Sequence, residues 1–200
     1  MGCAMTRRSA RMTIAALGLV VLGAIGVNCA RSERAAMQPS ACEPGAAPVV
    51  DSVLLAFLSK ARAAHHKADL AEDSGDVAAA IVSLESLTSG ARPGGETPLP
   101  EAGEVLSDTY ARLADLRSAR GEFDAALRDV DAGLLLAKET TYFRGHLFEV
   151  RGLVEERRAK SLPEGEGRER ARKAAMDAFD EAVRIQDQVI NSALGDAGPR

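Results

Sequence analysis

Small residues recur at matched offsets around two glycines. Ala68 stands seven residues before Gly75, and Ala80, Leu84 and Leu87 follow it; Ala114 stands seven before Gly121, and Ala126, Val130 and Gly133 follow at the same offsets. Ala175, Phe179 and Ala182 repeat the spacing of the last triplet. Steps of three and four place such residues on one face of a helix. A glycine between the two halves ends one helix in a left-handed residue and lets the chain return as a second. Two helices joined in this way approach closely only where their facing side chains are small. One hairpin cannot bury its apolar face by itself, so hairpins must stack.

The composition agrees with a helical core of small aliphatic residues. Of 200 residues, 46% are hydrophobic but only 4% aromatic, and there is no Trp. That length fits one domain or two small ones. Beyond Val50 the chain is rich in Ala, Leu, Glu, Arg and Asp, all tolerated or favoured in helices. Val50, Val53, Leu54, Phe57, Leu58, Ala61, Ala64, Ala68 and Ala71 trace one helical face. Breakers at Ser74-Gly75, Thr88 to Pro100, Arg120-Gly121, Glu139 to Thr141 and Leu162 to Gly167 divide the region. The spacing predicts an all-α fold with helices over 50–73, 76–88, 101–119, 122–138, 142–161 and 168–191.

The fuller motifs are Tyr110-x-x-Leu113-Ala114, Gly121-Glu122-Phe123-Asp124-x-Ala126, Phe148-x-x-Arg151-Gly152 and Ala175-x-x-x-Phe179-x-x-Ala182. Ala64-x-x-Lys67-Ala68 and Gly75-x-Val77-x-x-Ala80 make a sparser first copy. Together they resemble the tetratricopeptide repeat family. The resemblance implies an α-α superhelix of about three helical hairpins over 50–191, followed by a tail over 192–200. It departs from the family in spacing. Gly75 to Gly121 is 46 residues against about 34 in the family. Gly152 to Ala175 is 23 residues, where the other copies use 12.

The resemblance also implies a use: a non-catalytic adaptor that holds a segment of another protein in a groove lined by the first helix of each hairpin. The positions it carries over are Arg62, His65, Asp69 and Glu72 in the first copy. In the second they are Asp108, Ala111, Asp115 and Ser118, and in the third His146, Glu149, Leu153 and Glu156. With His neutral, that is six acidic residues and one basic, implying a partner segment that is basic or neutral.

Before residue 50 the chain reads as an address. Arg7, Arg8 and Arg11 precede an uncharged apolar run from Ile14 to Val27, the layout of an export signal or anchor over 1–29. Gly26-Val27-Asn28-Cys29 resembles a bacterial lipoprotein box, which implies lipidation at Cys29, although Asn28 departs from the small residue usual there. Lipidation, simple secretion and a retained membrane anchor are three readings of this stretch. All place the rest of the chain on the exported side of a membrane, in the cell envelope. Residues 30–49, with Pro39, Pro44 and Pro48, read as a flexible tether.

Catalytic signatures are missing. There is no phosphate loop, dinucleotide fingerprint, nucleophile elbow or zinc-protease helix motif in the sequence. His65 and Asp69 lie one turn apart and supply only two of the three or four ligands a metal needs. No metal, cofactor or catalytic residue is expected. A net charge of −4 and the lack of aromatic residues near the basic run Arg168 to Lys173 argue against nucleic acid. An alternative role is structural, with self-association through an apolar side of the last helix carrying Val183, Ile185, Val189 and Ile190. A metal-binding or enzymatic helical protein is a further, weaker alternative.

Overall fold

The computed structural model describes residues 51–195, and these form six helices with no strand among them. They are α1 (Ser52–Asp73), α2 (Val77–Thr88), α3 (Pro100–Ala119), α4 (Phe123–Leu136), α5 (Tyr142–Ser161) and α6 (Glu166–Gly195). The expected segments at 1–29 and 30–49, Cys29, and all but the first residues of the tail lie outside the described residues. Within them, no helix is long and apolar enough to cross a membrane.

The first two hairpin turns share one construction. Gly75 and Gly121 take φ of 79° and 80°, which costs glycine nothing and other residues a steric penalty. In each turn the glycine N–H and the next N–H bond back to carbonyls of the preceding helix: Gly75 to Glu72 and Asp76 to Ala71, Gly121 to Ser118 and Glu122 to Arg117. This paired closure satisfies the orphaned carbonyls of the helix end. Asp76 then turns round and starts α2, its carboxylate accepting from the Ala79 N–H at 2.9 Å.

The 23-residue spacing of the last copy is absorbed by its helices. α5 runs nine residues past Gly152, where α3 runs five past Ala114. α6 begins nine residues before Ala175, where α4 begins three before Ala126. The turn is one residue longer. The Gly165-Glu166-Gly167 stretch, expected to be loop throughout, is only partly so. Gly165 (φ 145°) makes the turn, and Glu166 and Gly167 already belong to α6.

Neighbour relations give the architecture. α1 pairs with α2, α3 with α4 and α5 with α6. α3 also lies against both α1 and α2, and α5 against both α3 and α4, while α6 touches α5 alone. The core steps along the chain in three clusters. Phe57, Ala61, Leu87 and Leu106 form one, Ala68, Ala80, Leu84 and Leu113 the next, and Ala114, Ala126, Val130, Leu147 and Val154 the third. The repeated alanines are the contact points: Ala68, Ala80, Ala114 and Ala126 are wholly buried, and Ala175 nearly so.

Glycines take the same role where a larger side chain must enter. A Cβ placed on Gly152 would lie 2.5 Å from the Phe179 ring, and one on Gly133 would lie 2.6 Å from Leu147. The α5–α6 seam is otherwise built on Ala171, Ala175, Ala178 and Ala182. Of the apolar side of α6, which could either pack on the preceding hairpin or stay uncovered, Ile185 faces α5 and is buried. Val183 and Ile190 do point outward, and with Met176 and Leu194 they are each more than half exposed.

Candidate functional site: the α1, α3 and α5 face

α1, α3 and α5 stand side by side, so the predicted positions come onto neighbouring helices. Arg62, Asp69 and Glu149 are exposed, and His65, Glu72, Asp108, Asp115, His146, Leu153 and Glu156 partly so. Two of the predicted positions are different. Ala111 and Ser118 are buried between helices, because α3 has neighbours on both flanks and its small residues are what allow them near. They belong to the packing rather than to a lining.

The carboxylates on this face are not a bare acidic strip. Arg112, from α3, reaches across to α1 and ion-pairs with Asp69 at 2.7 Å and with Glu72. Arg157, from α5, reaches back to α3 and pairs with Asp115 at 2.7 Å, also donating to the Asp115 carbonyl at 3.2 Å and to the Ser118 hydroxyl. A single arginine thus bridges each pair of adjacent first helices. The guanidinium fork suits this, since it can engage several acceptors at once. Counting Arg112 and Arg157, the face carries six acidic and three basic side chains, so its acidity is lower than the carried-over positions alone imply.

His65 lies in the middle of the α1–α3 contact. Its Nε2 is 3.0 Å from the Thr109 hydroxyl oxygen, and Arg112 donates to its Nδ1 at 3.4 Å. The Thr109 hydroxyl proton is already given to the Val105 carbonyl at 2.7 Å. Both contacts are therefore met by the neutral ring with its proton on Nε2. Burial lowers the His65 pKa; Asp108 pulls it back up, Arg112 lowers it further and Asp69 raises it. The Asp69 carboxyl is held below its ordinary value, chiefly by the hydrogen bond from Arg112. On α5, His146 stacks on Tyr142 with ring centroids 5.8 Å apart and meets Glu149 at 3.2 Å. Glu156 is paired with Lys160.

On the opposite side, Arg117 of α3 joins three helices. It pairs with Glu85 of α2 and Asp129 of α4, two helices that do not otherwise touch. Asp129 is buried, and burial raises its carboxyl pKa against the opposing pull of Arg117.

Sequence reasoning missed Arg112, Arg117 and Arg157. The motif positions mark which side chains face a groove, not which ones reach over a neighbouring helix. A usable signal was present: each arginine lies on a helix whose neighbour presents acidic residues one turn apart or at the equivalent level. Among the described residues no group of three or more His, Cys, Asp or Glu is placed to hold a metal. No family model, curated protein or solved structure matches the chain.

Proposed function

We propose that this chain is a non-catalytic interaction protein of the cell envelope, built as a tetratricopeptide-like stack of three hairpins. It holds an extended segment of a protein partner along the α1, α3 and α5 face. The observation that carries this reading is the side-by-side placement of α1, α3 and α5, with α3 and α5 also set against the second helix of the hairpin before them. That is the arrangement stacked hairpins need. The N-terminal address supplies the other half, tethering the stack on the exported side through an anchor or through lipid at Cys29.

The residues best placed to greet a partner are those left without an arginine. Asp108 has no ion-pair partner among the described residues, and Glu149 has only His146. Such exposed charges govern encounter and choice of partner more than final affinity. The test is capture of partner proteins from solubilised membranes by the full chain, compared with the Asp108→Lys/Glu149→Lys variant. Loss of a specifically captured protein at low salt is the expected result. Capture unchanged by the double reversal would remove this face as the binding surface.

A second reading has one specific observation in its favour. Met176, Val183 and Ile190 recur every seven residues on the outward side of α6, with Leu194 one turn on, and they are 60%, 62%, 53% and 69% exposed. An apolar stripe opposite the buried one fits self-association of a structural envelope protein. Light scattering on the detergent-solubilised chain separates the two readings. A dimer that reverts to monomer on Val183→Asp supports self-association, and a monomer in both cases supports the adaptor.

A further inference from the structure

A cleft of about 340 Å³ opens where α3 and α5 begin and α4 ends. Its floor is apolar, formed by Pro98, Leu135, Leu136 and Phe143. Leu135 is 72% exposed and forms the outer edge of this apolar lining. Carboxylates stand around this floor: Glu96, Glu104 and Glu139, against the single cation Lys138. None of these four side chains is ion-paired among the described residues. The contrast with the other end of the face is direct, because Asp69, Glu72 and Asp115 there are already neutralised by Arg112 and Arg157. Two helix starts and one finish at the cleft leave about half a positive charge, which the three carboxylates against one lysine still outweigh.

We infer that this cleft is the anchoring pocket of the partner segment, taking an apolar side chain flanked by lysine or arginine. The inference rests on the reading of the chain as a segment-binding protein and adds where the segment is held and by what chemistry. An apolar residue covers Leu135 and the rim of the floor, while its cationic neighbours meet Glu104 and Glu139. Glu104 lies one turn before Asp108 on α3, so a segment leaving the cleft continues onto the α1, α3 and α5 face. The cleft exists because the loop between Thr88 and Pro100 brings Glu96, Thr97 and Pro98 over the start of α3.

The probe is the blocked tripeptide Lys-Leu-Lys, titrated into the full chain in non-ionic detergent and followed by the leucine methyl resonances. Saturable shifts at Leu135 and Leu136, with Kd on the order of 1 mM, are expected from so small a ligand. Glu-Leu-Glu and Lys-Ser-Lys produce no saturable shift there, since one lacks the charge and the other the apolar group. Glu104→Gln/Glu139→Gln weakens Lys-Leu-Lys by about fivefold, in line with the modest worth of exposed charge pairs. Leu135→Ser, at an exposed position that folding does not use, removes binding. The inference is overturned if Lys-Leu-Lys gives no saturable shift at these methyls, or if Glu-Leu-Glu or Lys-Ser-Lys binds equally well. The broader reading fails separately, when Asp108→Lys/Glu149→Lys leaves membrane-partner capture intact.

Discussion

Replacing Gly152 with alanine adds one methyl group at the closest approach of α5 and α6. The new carbon would lie 2.5, 2.6 and 2.8 Å from three carbons of the Phe179 ring, well inside contact distance. Overfilling a packed site of this kind costs about 1–3 kcal/mol. The same change removes a mid-helix glycine, which returns roughly 0.5–1 kcal/mol. Gly103 provides the control, because it lies inside α3 and a Cβ there meets nothing within 4 Å. Gly103→Ala should therefore stabilise by roughly 0.5–1 kcal/mol through propensity alone. The difference between the two variants isolates the clash, about 1–3 kcal/mol, or about 3–9 °C in Tm for a chain of this size. Thermal and urea unfolding followed by far-UV circular dichroism measures it. Adding Phe179→Leu to Gly152→Ala should recover part of the loss, with a coupling of about 1–2 kcal/mol. If Gly152→Ala stabilises as much as Gly103→Ala, the small residue at 152 is not what lets α5 and α6 meet, and the packing argument fails.

Other expectations concern the charged contacts. Arg117→Met should destabilise by about 3 kcal/mol in the same unfolding assay, since it leaves the buried Asp129 carboxylate without its ion-pair partner; a change below about 0.5 kcal/mol would mean the three-helix bridge contributes nothing. His65 is neutral in the fold and its pKa is lowered by burial, so the unfolded chain binds its proton first as pH falls. Its contribution is full above the ordinary value of 6.5 and is lost as pH falls through the folded value, so stability should decline below about pH 6.5. His65→Gln, which keeps a donor and an acceptor but does not titrate, should flatten that part of the profile, and an unchanged slope would assign the decline to other groups.

The helices were legible because their causes are local. Spacing of small and apolar residues, with Gly75 and Gly121 between, sets the ends of α1, α2, α3, α4 and α5 to within two residues of the expected ones. α6 runs from Glu166 to Gly195 rather than over 168–191. The start of α6 was hidden by Gly167, which reads as a breaker. The helix passes through it, with Arg168 bonded to the Leu162 carbonyl and ion-paired with Glu164. The candidate face was half legible. Which side chains lie on α1, α3 and α5 follows from periodicity, but Arg112 and Arg157 acquire partners only once the spacing between helices is set. The burial of Ala111 and Ser118 was missed for the same reason. The cleft was not legible at all, because its floor combines a loop, one helix end and two helix starts that no local pattern connects.

The stacking of the three hairpins underlies the face, the arginine bridges and the cleft alike. It is tested most directly by a spin-label distance between Arg62→Cys and Glu149→Cys in a full chain whose natural cysteines are serine. Both positions are exposed, one on α1 and one on α5, with α3 between them. Two steps of 8–10 Å between packed helices predict a narrow distribution near about 20 Å, widened only by the label arms. A broad distribution centred beyond about twice that distance would show that α1 and α5 do not share a face.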